Sequence, residues 1–319
     1  MASKFKVYVV RPVRDRIIYL FFRSMLVVGQ FVPRRLQLWW HGLLARPAYL
    51  LTKNTRKAIS RNLTTAFGPE KQKGEYDRMG LRLFQVLTWT ITDYALFWKL
   101  KTREQFSRYF TFEGEEHLRA AHARGRGVLC LIPHTAGWEF SAIMPPVMGY
   151  KTMGVSRSLH NAPLGRLMVD LRESRGMADV IRDNCFNVLV ERLKQGECLI
   201  IMIDQDSVRV RGEFLKFFGK DAYTPIGCAR LVMATGAAVV PMYTLRNDDD
   251  TYVFRILPEI PFVEKETELE TIRYNTQLHS DAMEQIIRQH PTQWVWMHNR
   301  WKTTPESLHQ YLEEKRQRQ

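Results

Sequence analysis

From residue 127 onward, short apolar runs bounded by Gly, Pro or charged residues alternate with longer segments whose apolar positions recur at helical spacing. The runs at 127–132, 150–155, 178–181, 198–203, 238–243 and 252–256 predict strands. Segments 163–175, 184–195, 225–235 and 267–288 predict helices, and another starts at Glu139. Elements in this order predict an α/β fold, a mixed and mostly parallel sheet flanked by helices. Ahead of it, residues 71–112 set Met79, Leu81, Leu83, Phe84, Leu87, Thr88 and Ile91 on one wide face, which predicts a helical lead-in.

Two of the apolar runs end in reactive side chains. Gly127-Val128-Leu129-Cys130-Leu131-Ile132-Pro133 reads as a strand covered on both faces, and it stops at His134-Thr135-Ala136-Gly137-Trp138-Glu139. The carboxyl end of a central strand is where open α/β sheets bind their ligands. Gly137 is expected to bend the backbone between strand and helix, bringing Glu139 round to orient the His134 ring. Spacing alone is unspecific, because His279 with Glu284 and His309 with Glu314 repeat it. Those two pairs fall in continuous helix, where five residues turn side chains about 140° apart, so they read as solvated helix faces. His134 is therefore the candidate base and Glu139 its acid, with a core histidine satisfied by a local carboxylate as the alternative. The second run, 198–203, ends in Asp204-Gln205-Asp206, which is either a turn cap or the far wall of a shared crevice. Arg157, Arg175, Arg182 and Arg209 add planar donor forks suited to a phosphate or carboxylate.

Charge changes the picture at one end. The 319-residue chain has a formal net charge of +14, and its first 68 residues hold thirteen Lys and Arg against Asp15 alone. Basic residues there alternate with bulky apolar ones, as in Ile17-Ile18-Tyr19-Leu20-Phe21-Phe22 and in 36–43 with Trp39 and Trp40. Arg23, Gln30 and Arg46 keep every run short of the ~20 apolar residues that a membrane-spanning helix needs. The mixture suits a helix lying among lipid headgroups, or a short anchor in one leaflet, attracted to anionic lipid. A basic helical subdomain packed on the core is the alternative. No small-residue cleavage site follows, so a signal peptide is not expected. The chain thus divides into a membrane-anchoring helical segment, 1–68, and a catalytic domain, 69–319. Nucleic acid is not an expected partner, since no helix-turn-helix, zinc-finger spacing or aromatic RNA-binding signature accompanies the charge. Cys130, Cys185, Cys198 and Cys228 are scattered through apolar runs without ligand spacing, which points to reduced core residues and no metal. With no Walker-type loop and no Gly-x-Ser-x-Gly elbow, nucleotide-driven motors and serine nucleophiles are both disfavoured.

The motifs also have an order. His134-Thr135-Ala136-Gly137-Trp138-Glu139, Asp204-Gln205-Asp206, Phe217-Phe218-Gly219 with Thr224-Pro225-Ile226-Gly227, Thr235-Gly236-Ala237-Ala238-Val239-Val240-Pro241, and Trp296-Met297-His298-Asn299-Arg300-Trp301-Lys302-Thr303-Thr304-Pro305 follow one another. Together they resemble the late acyltransferases of lipid A biosynthesis, the lauroyl/myristoyl transferase family of Gram-negative bacteria, over nearly the whole chain. The resemblance implies a glycerolipid-acyltransferase-like fold and an enzyme at the cytoplasmic face of the inner membrane. It implies transfer of a fatty acyl chain from acyl carrier protein to a hydroxyl of a lipid A precursor, without a cofactor. In that scheme His134 is the general base, Glu139 fixes its tautomer, and Arg157, Arg175 and Arg182 contact phosphates of the acceptor or of the carrier's phosphopantetheine. Asp204 and Asp206 would orient those arginines or the cleft loop. Ser207-Val208-Arg209-Val210 and His298-Asn299-Arg300, where many members have two arginines after the histidine, depart from the family pattern and leave the acceptor open. Another membrane glycolipid or amino-acid lipid, acyl-CoA as donor, and a catalytically silent lipid-binding protein on the same fold stay as alternatives.

Overall fold

A computed structural model of the chain describes residues 11–68, 73–156, 161–181 and 185–317. Helices α1 (Arg11–Val28), α2 (Arg34–Leu51) and α3 (Lys53–Phe67) come first, then the long α4 (Lys73–Leu96) and the single turn α5 (Arg103–Phe106). Strands and helices then alternate: β1 (Phe110–Glu113), α6 (Glu115–Ala123), β2 (Val128–Leu131), α7 (Trp138–Val147), β3 (Thr152–Ser156), α8 (Ala162–Glu173), β4 (Met177–Ile181), α9 (Phe186–Lys194) and β5 (Cys198–Ile201). A hairpin of β6 (Gly212–Phe217) and β7 (Lys220–Pro225) is followed by α10 (Gly227–Thr235), β8 (Ala238–Arg246), β9 (Tyr252–Ile256), α11 (Glu268–Gln289) and α12 (Pro305–Gln317).

Seven strands form one sheet in the order β1-β9-β8-β2-β5-β3-β4, with every pairing parallel except β8 with β9. This is the α/β architecture that the alternation predicts. β2 sits in the middle with all four residues buried, because successive side chains leave opposite faces of a strand and both faces are covered. Val128, Cys130, Val240 and Met242 pack with Phe140 and Ile143 of α7. Leu129, Leu131, Leu199 and Val239 pack with Leu189 and Leu193 of α9 and Leu231 of α10.

Two elements depart from the expected set. β1 lies inside the stretch read as helical, where Phe110 stacks on Tyr252 with ring centroids 4.8 Å apart. Four residues at a sheet edge are too few to interrupt a helical pattern. The β6–β7 hairpin turns on Phe218-Gly219, with φ of 52° and 71°, the left-handed pair that a tight hairpin requires. A phenylalanine is disfavoured there, and its surroundings offset the cost. The Phe218 ring meets Phe67 and Trp296 at 5.4 and 5.7 Å, Arg288 lies over it, and its N–H donates to Glu284.

Glu284 is thereby committed, and the neighbouring repeat of the His/Glu spacing is corrected. His279 is 1% exposed in α11, not on a solvated face, and burial takes its imidazole pKa down to about 4. His309 in α12 is exposed as expected, 3.1 Å from Glu313.

The N-terminal helices are built into the body. α2 packs on α4 and buries Gln37, Leu38, Ala45 and Tyr49. Arg34 donates to both oxygens of the fully buried Asp93 at 2.6 and 2.8 Å, and the Tyr252 hydroxyl donates to the same carboxylate at 2.7 Å. α3 buries Ile59, Leu63 and Phe67 in a cluster with Trp294 and Trp296. The other face of α2 leaves Leu36, Trp39, Trp40, Leu43, Leu44, Leu50 and Leu51 exposed. Among the described residues, no helix is long and apolar enough to cross a membrane.

Candidate active site

The register of the two central strands assembles the site. Val128 of β2 lies beside Cys198 of β5, and Leu131 beside Ile201. Past the strand ends, the Ile132 N–H donates to the Ile201 carbonyl at 3.0 Å, and the same offset sets His134 beside Asp204. The Asp204 carboxylate accepts the His134 main-chain N–H at 2.6 Å, the His134 Nδ1–H at 2.6 Å and the Trp294 Nε1–H at 2.7 Å. Its side chain is 0% exposed, whereas that of His134 is 20% exposed. Burial alone would push the Asp204 carboxyl up. Electrostatic attraction to His134 and the three donors overcome that and hold it below the usual carboxylate range. An ionised carboxylate only accepts, so Nδ1 carries a hydrogen and Nε2 is the ring nitrogen that can take up or release a proton.

The acid against His134 is thus Asp204, where the sequence placed Glu139. Glu139 is the second residue of α7, and its carboxylate is held by Arg172 of α8, Nε to Oε2 at 3.0 Å and Nη2 to Oε1 at 2.6 Å. Trp138 Nε1–H adds a bond to Oε1 at 3.2 Å. Of the two expectations for Asp204, orienting arginines or the cleft loop, its donors from His134 and Trp294 match the loop and not the arginines. Gly137 also has a different reason to be glycine. Its φ of −96° suits any residue, but a Cβ there would lie 2.8 Å from the Thr244 carbonyl oxygen.

The C-terminal motif closes the site from the other side. Val295 N–H donates to the His134 carbonyl at 3.2 Å. Gln293 exchanges two bonds with the main chain of Arg246, at 3.0 and 2.9 Å, pinning this strand-like segment to the end of β8. The buried Asp206 carboxylate accepts the Thr303 N–H at 2.9 Å and the Thr303 hydroxyl at 2.6 Å, with Lys302 Nζ 3.9 Å away. Asp206 in turn donates its main-chain N–H to His298 Nε2 at 3.0 Å. Arg300, fully buried, donates to the Tyr223 carbonyl at 2.7 Å and the Thr224 hydroxyl at 2.6 Å, 4.8 Å above the Phe217 ring. Burial brings its pKa down to about 10 against the pull of Asp204 and Asp206. Asn62 of α3 donates to the carbonyls of Trp296 and His298, both at 2.6 Å. Trp294, His298, Thr303 and Asn62 were not singled out from sequence as functional supports. The motif at 296–305 contains His298 and Thr303 without giving them a role, the aromatic run around it reaches Trp294, and Asn62 has no such signal.

The predicted arginines fare differently. Arg175 is 3% exposed, and its guanidinium donates to the carbonyls of Phe97, Leu171 and Leu100 at 2.9, 3.0 and 3.4 Å, over the Tyr94 ring. Its fork is spent inside the protein rather than offered to a phosphate. Arg209 is exposed in the loop after Asp206. Arg157 and Arg182 lie outside the described residues. Cys130, Cys198 and Cys228 are buried free thiols and Cys185 a half-buried one. Among the described residues, no group of three or more His, Cys, Asp or Glu side chains is arranged to hold a metal ion. A reachable imidazole backed by a sealed carboxylate is equipped for general-base chemistry.

The chain is similar in sequence to known proteins. The profile of the family described as bacterial lipid A biosynthesis acyltransferase matches residues 4–303. The lipid A biosynthesis lauroyltransferase of Escherichia coli (strain K12) is 26% identical over 269 residues, 83% of this chain and 85% of that one. The palmitoleoyltransferase of the same strain is 25% identical over 272 residues, 83% of each. A phosphatidylinositol mannoside acyltransferase of Mycobacterium tuberculosis (strain CDC 1551 / Oshkosh) is 27% identical over 192 residues, and that match spans 59% of this chain but only 58% of the mycobacterial protein's length.

Proposed function

The chain belongs to the bacterial lipid A biosynthesis acyltransferase family, and on that premise we propose that it transfers a fatty acyl chain from acyl carrier protein to a hydroxyl of a lipid A precursor. The observation that carries this reading is the His134 ring, with Nδ1–H bound by the sealed Asp204 carboxylate and Nε2 left as a base. Nε2 takes the hydroxyl proton while the acceptor oxygen attacks the thioester carbonyl, and Asp204 stabilises the imidazolium that forms. Collapse of the tetrahedral intermediate breaks the carbon–sulfur bond, and the imidazolium returns its proton to the departing thiolate. A thioester is already activated, so no covalent enzyme intermediate is needed.

Glu139, paired with Arg172, is the second acid of the site and fixes a cation at its edge. Arg157 and Arg182 are the proposed contacts for substrate phosphates, and exposed Arg209 adds to the basic field that attracts an acidic carrier protein. The exposed apolar face of α2, with Trp39 59% and Trp40 54% exposed among basic residues, supports seating on anionic lipid at the cytoplasmic face of the inner membrane. The similarity to a mannoside acyltransferase favours a second reading, with another membrane glycolipid as acceptor.

Labelled lipid A precursor incubated with acyl-loaded carrier protein decides between them. Transfer that falls at least ~100-fold in His134→Ala is the expected result. No transfer sinks the proposal, transfer to a different glycolipid promotes the second reading, and equal transfer from acyl-CoA removes the carrier protein as the required donor.

A further inference from the structure

His298 is a second imidazole at the site, and its tautomer is also dictated. Nε2 accepts the Asp206 main-chain N–H at 3.0 Å, so the ring carries its lone pair there and its hydrogen on Nδ1. The backbone that bears it is clamped. Asn62 donates to the carbonyls of residues 296 and 298 at 2.6 Å each, and the His298 N–H donates to the Val295 carbonyl at 3.1 Å. Burial, then the Lys302 ammonium, and the His134 ring as well, lower the His298 pKa against the pull of Asp204 and Asp206, which keeps the ring neutral. The half-buried ring leaves Nδ1–H open to solvent, with no acceptor for it among the described residues.

A proton donor aimed at the reaction is what the His134–Asp204 pair lacks. That pair removes the acceptor proton but offers nothing to the carbonyl oxygen as it gains negative charge. A neutral imidazole N–H stabilises such charge without competing with the base for protons. On the acyl-transfer reading given above, we infer that His298 Nδ1–H donates a hydrogen bond to the developing oxyanion of the acyl thioester. His298 is then a catalytic residue of this reaction, and Asp206 and Asn62 are its positioning residues.

Two substitutions separate this role from mere support of the loop. His298→Asn puts an amide N–H near the place of Nδ1 but loses the acceptor for Asp206. His298→Gln puts an amide oxygen near the place of Nε2, keeping that acceptor, but loses the donor. Acyl transfer is measured for both on protein whose thermal melt shows it folded at the assay temperature. The expected result is that His298→Gln loses at least ~30-fold in kcat with KM within about threefold, while His298→Asn retains at least ~10-fold more kcat than His298→Gln. The reverse order, or a loss residing in KM alone, overturns the inference while leaving the acyltransferase reading intact. Absence of transfer by the unsubstituted protein overturns both.

Discussion

In the proposed mechanism His134 is prepared as a base by a residue 70 positions away. With Nδ1–H committed to Asp204, the ring cannot present its other tautomer, and the imidazolium that the proposed step forms would meet a fixed negative charge. Asp204→Asn keeps the shape but removes both effects, and steady-state acyl transfer is expected to fall at least ~100-fold in kcat. Turnover within about threefold of the unsubstituted protein would take Asp204 out of the mechanism. His134 was legible beforehand because an apolar run stopping at a histidine is visible in one dimension. Its partner was not, because spacing along the chain says nothing about which strands are neighbours. Asp204 was visible only as a second strand end, and the register of β2 on β5, a tertiary property, is what joined the two. Glu139 was nearer in sequence and farther in chemistry, since its place at the start of α7 delivered it to Arg172 instead.

Among the elements, the buried parallel strands were the easiest to see, since strands covered on both faces are written as unbroken apolar runs. The β6–β7 hairpin escaped because Phe218-Gly219 carries no Asn-Gly or Asp-Gly signal. Its turn is supported by the aromatic cluster and by Glu284 from α11, neither of which is local. α11 itself was predicted, but the burial of His279 was not, because a helix face can be assigned to core or solvent only when its neighbours are known. That misplacement has a measurable consequence. The folded-state pKa of about 4 lies below the ordinary 6.5, so the folded form binds this proton less well than the unfolded chain does. The stability it contributes is complete above pH ~6.5 and is lost as pH falls toward 4, by about 3 kcal/mol. Urea unfolding of His279→Leu is expected to show a correspondingly shallower decline across that interval, and parallel declines would mean that the ring is charged in the folded state.

At the scale of the whole molecule, the boundary drawn at residue 68 marks a change in composition that contacts nevertheless cross. Arg34 neutralises the fully buried Asp93, and Asn62 holds the loop that carries His298. Deleting the N-terminal helices would therefore damage the body along with any lipid contact, so membrane seating is better tested on the outer face of α2. Replacing Trp39 and Trp40 together by Ser is expected to weaken co-sedimentation with anionic phospholipid vesicles at least ~10-fold while leaving the thermal midpoint in place. Added salt is expected to weaken the remainder. Undiminished binding would assign the lipid contact to another surface. The basic, aromatic character of this segment is plain in composition, whereas its bracing of the loop that carries His298 is not, because Asn62 is a single polar residue on an otherwise apolar helix face.

The distribution of the site along the chain also sets an order in time. During synthesis the apolar outer face of α2 leaves the ribosome well before Trp294, His298 and Thr303 do. Until they emerge, Asp204 lacks its indole donor and Asp206 its threonine partner. A polypeptide that stops short of them therefore displays the apolar face of α2 while the surroundings of Asp204 and Asp206 are unfinished.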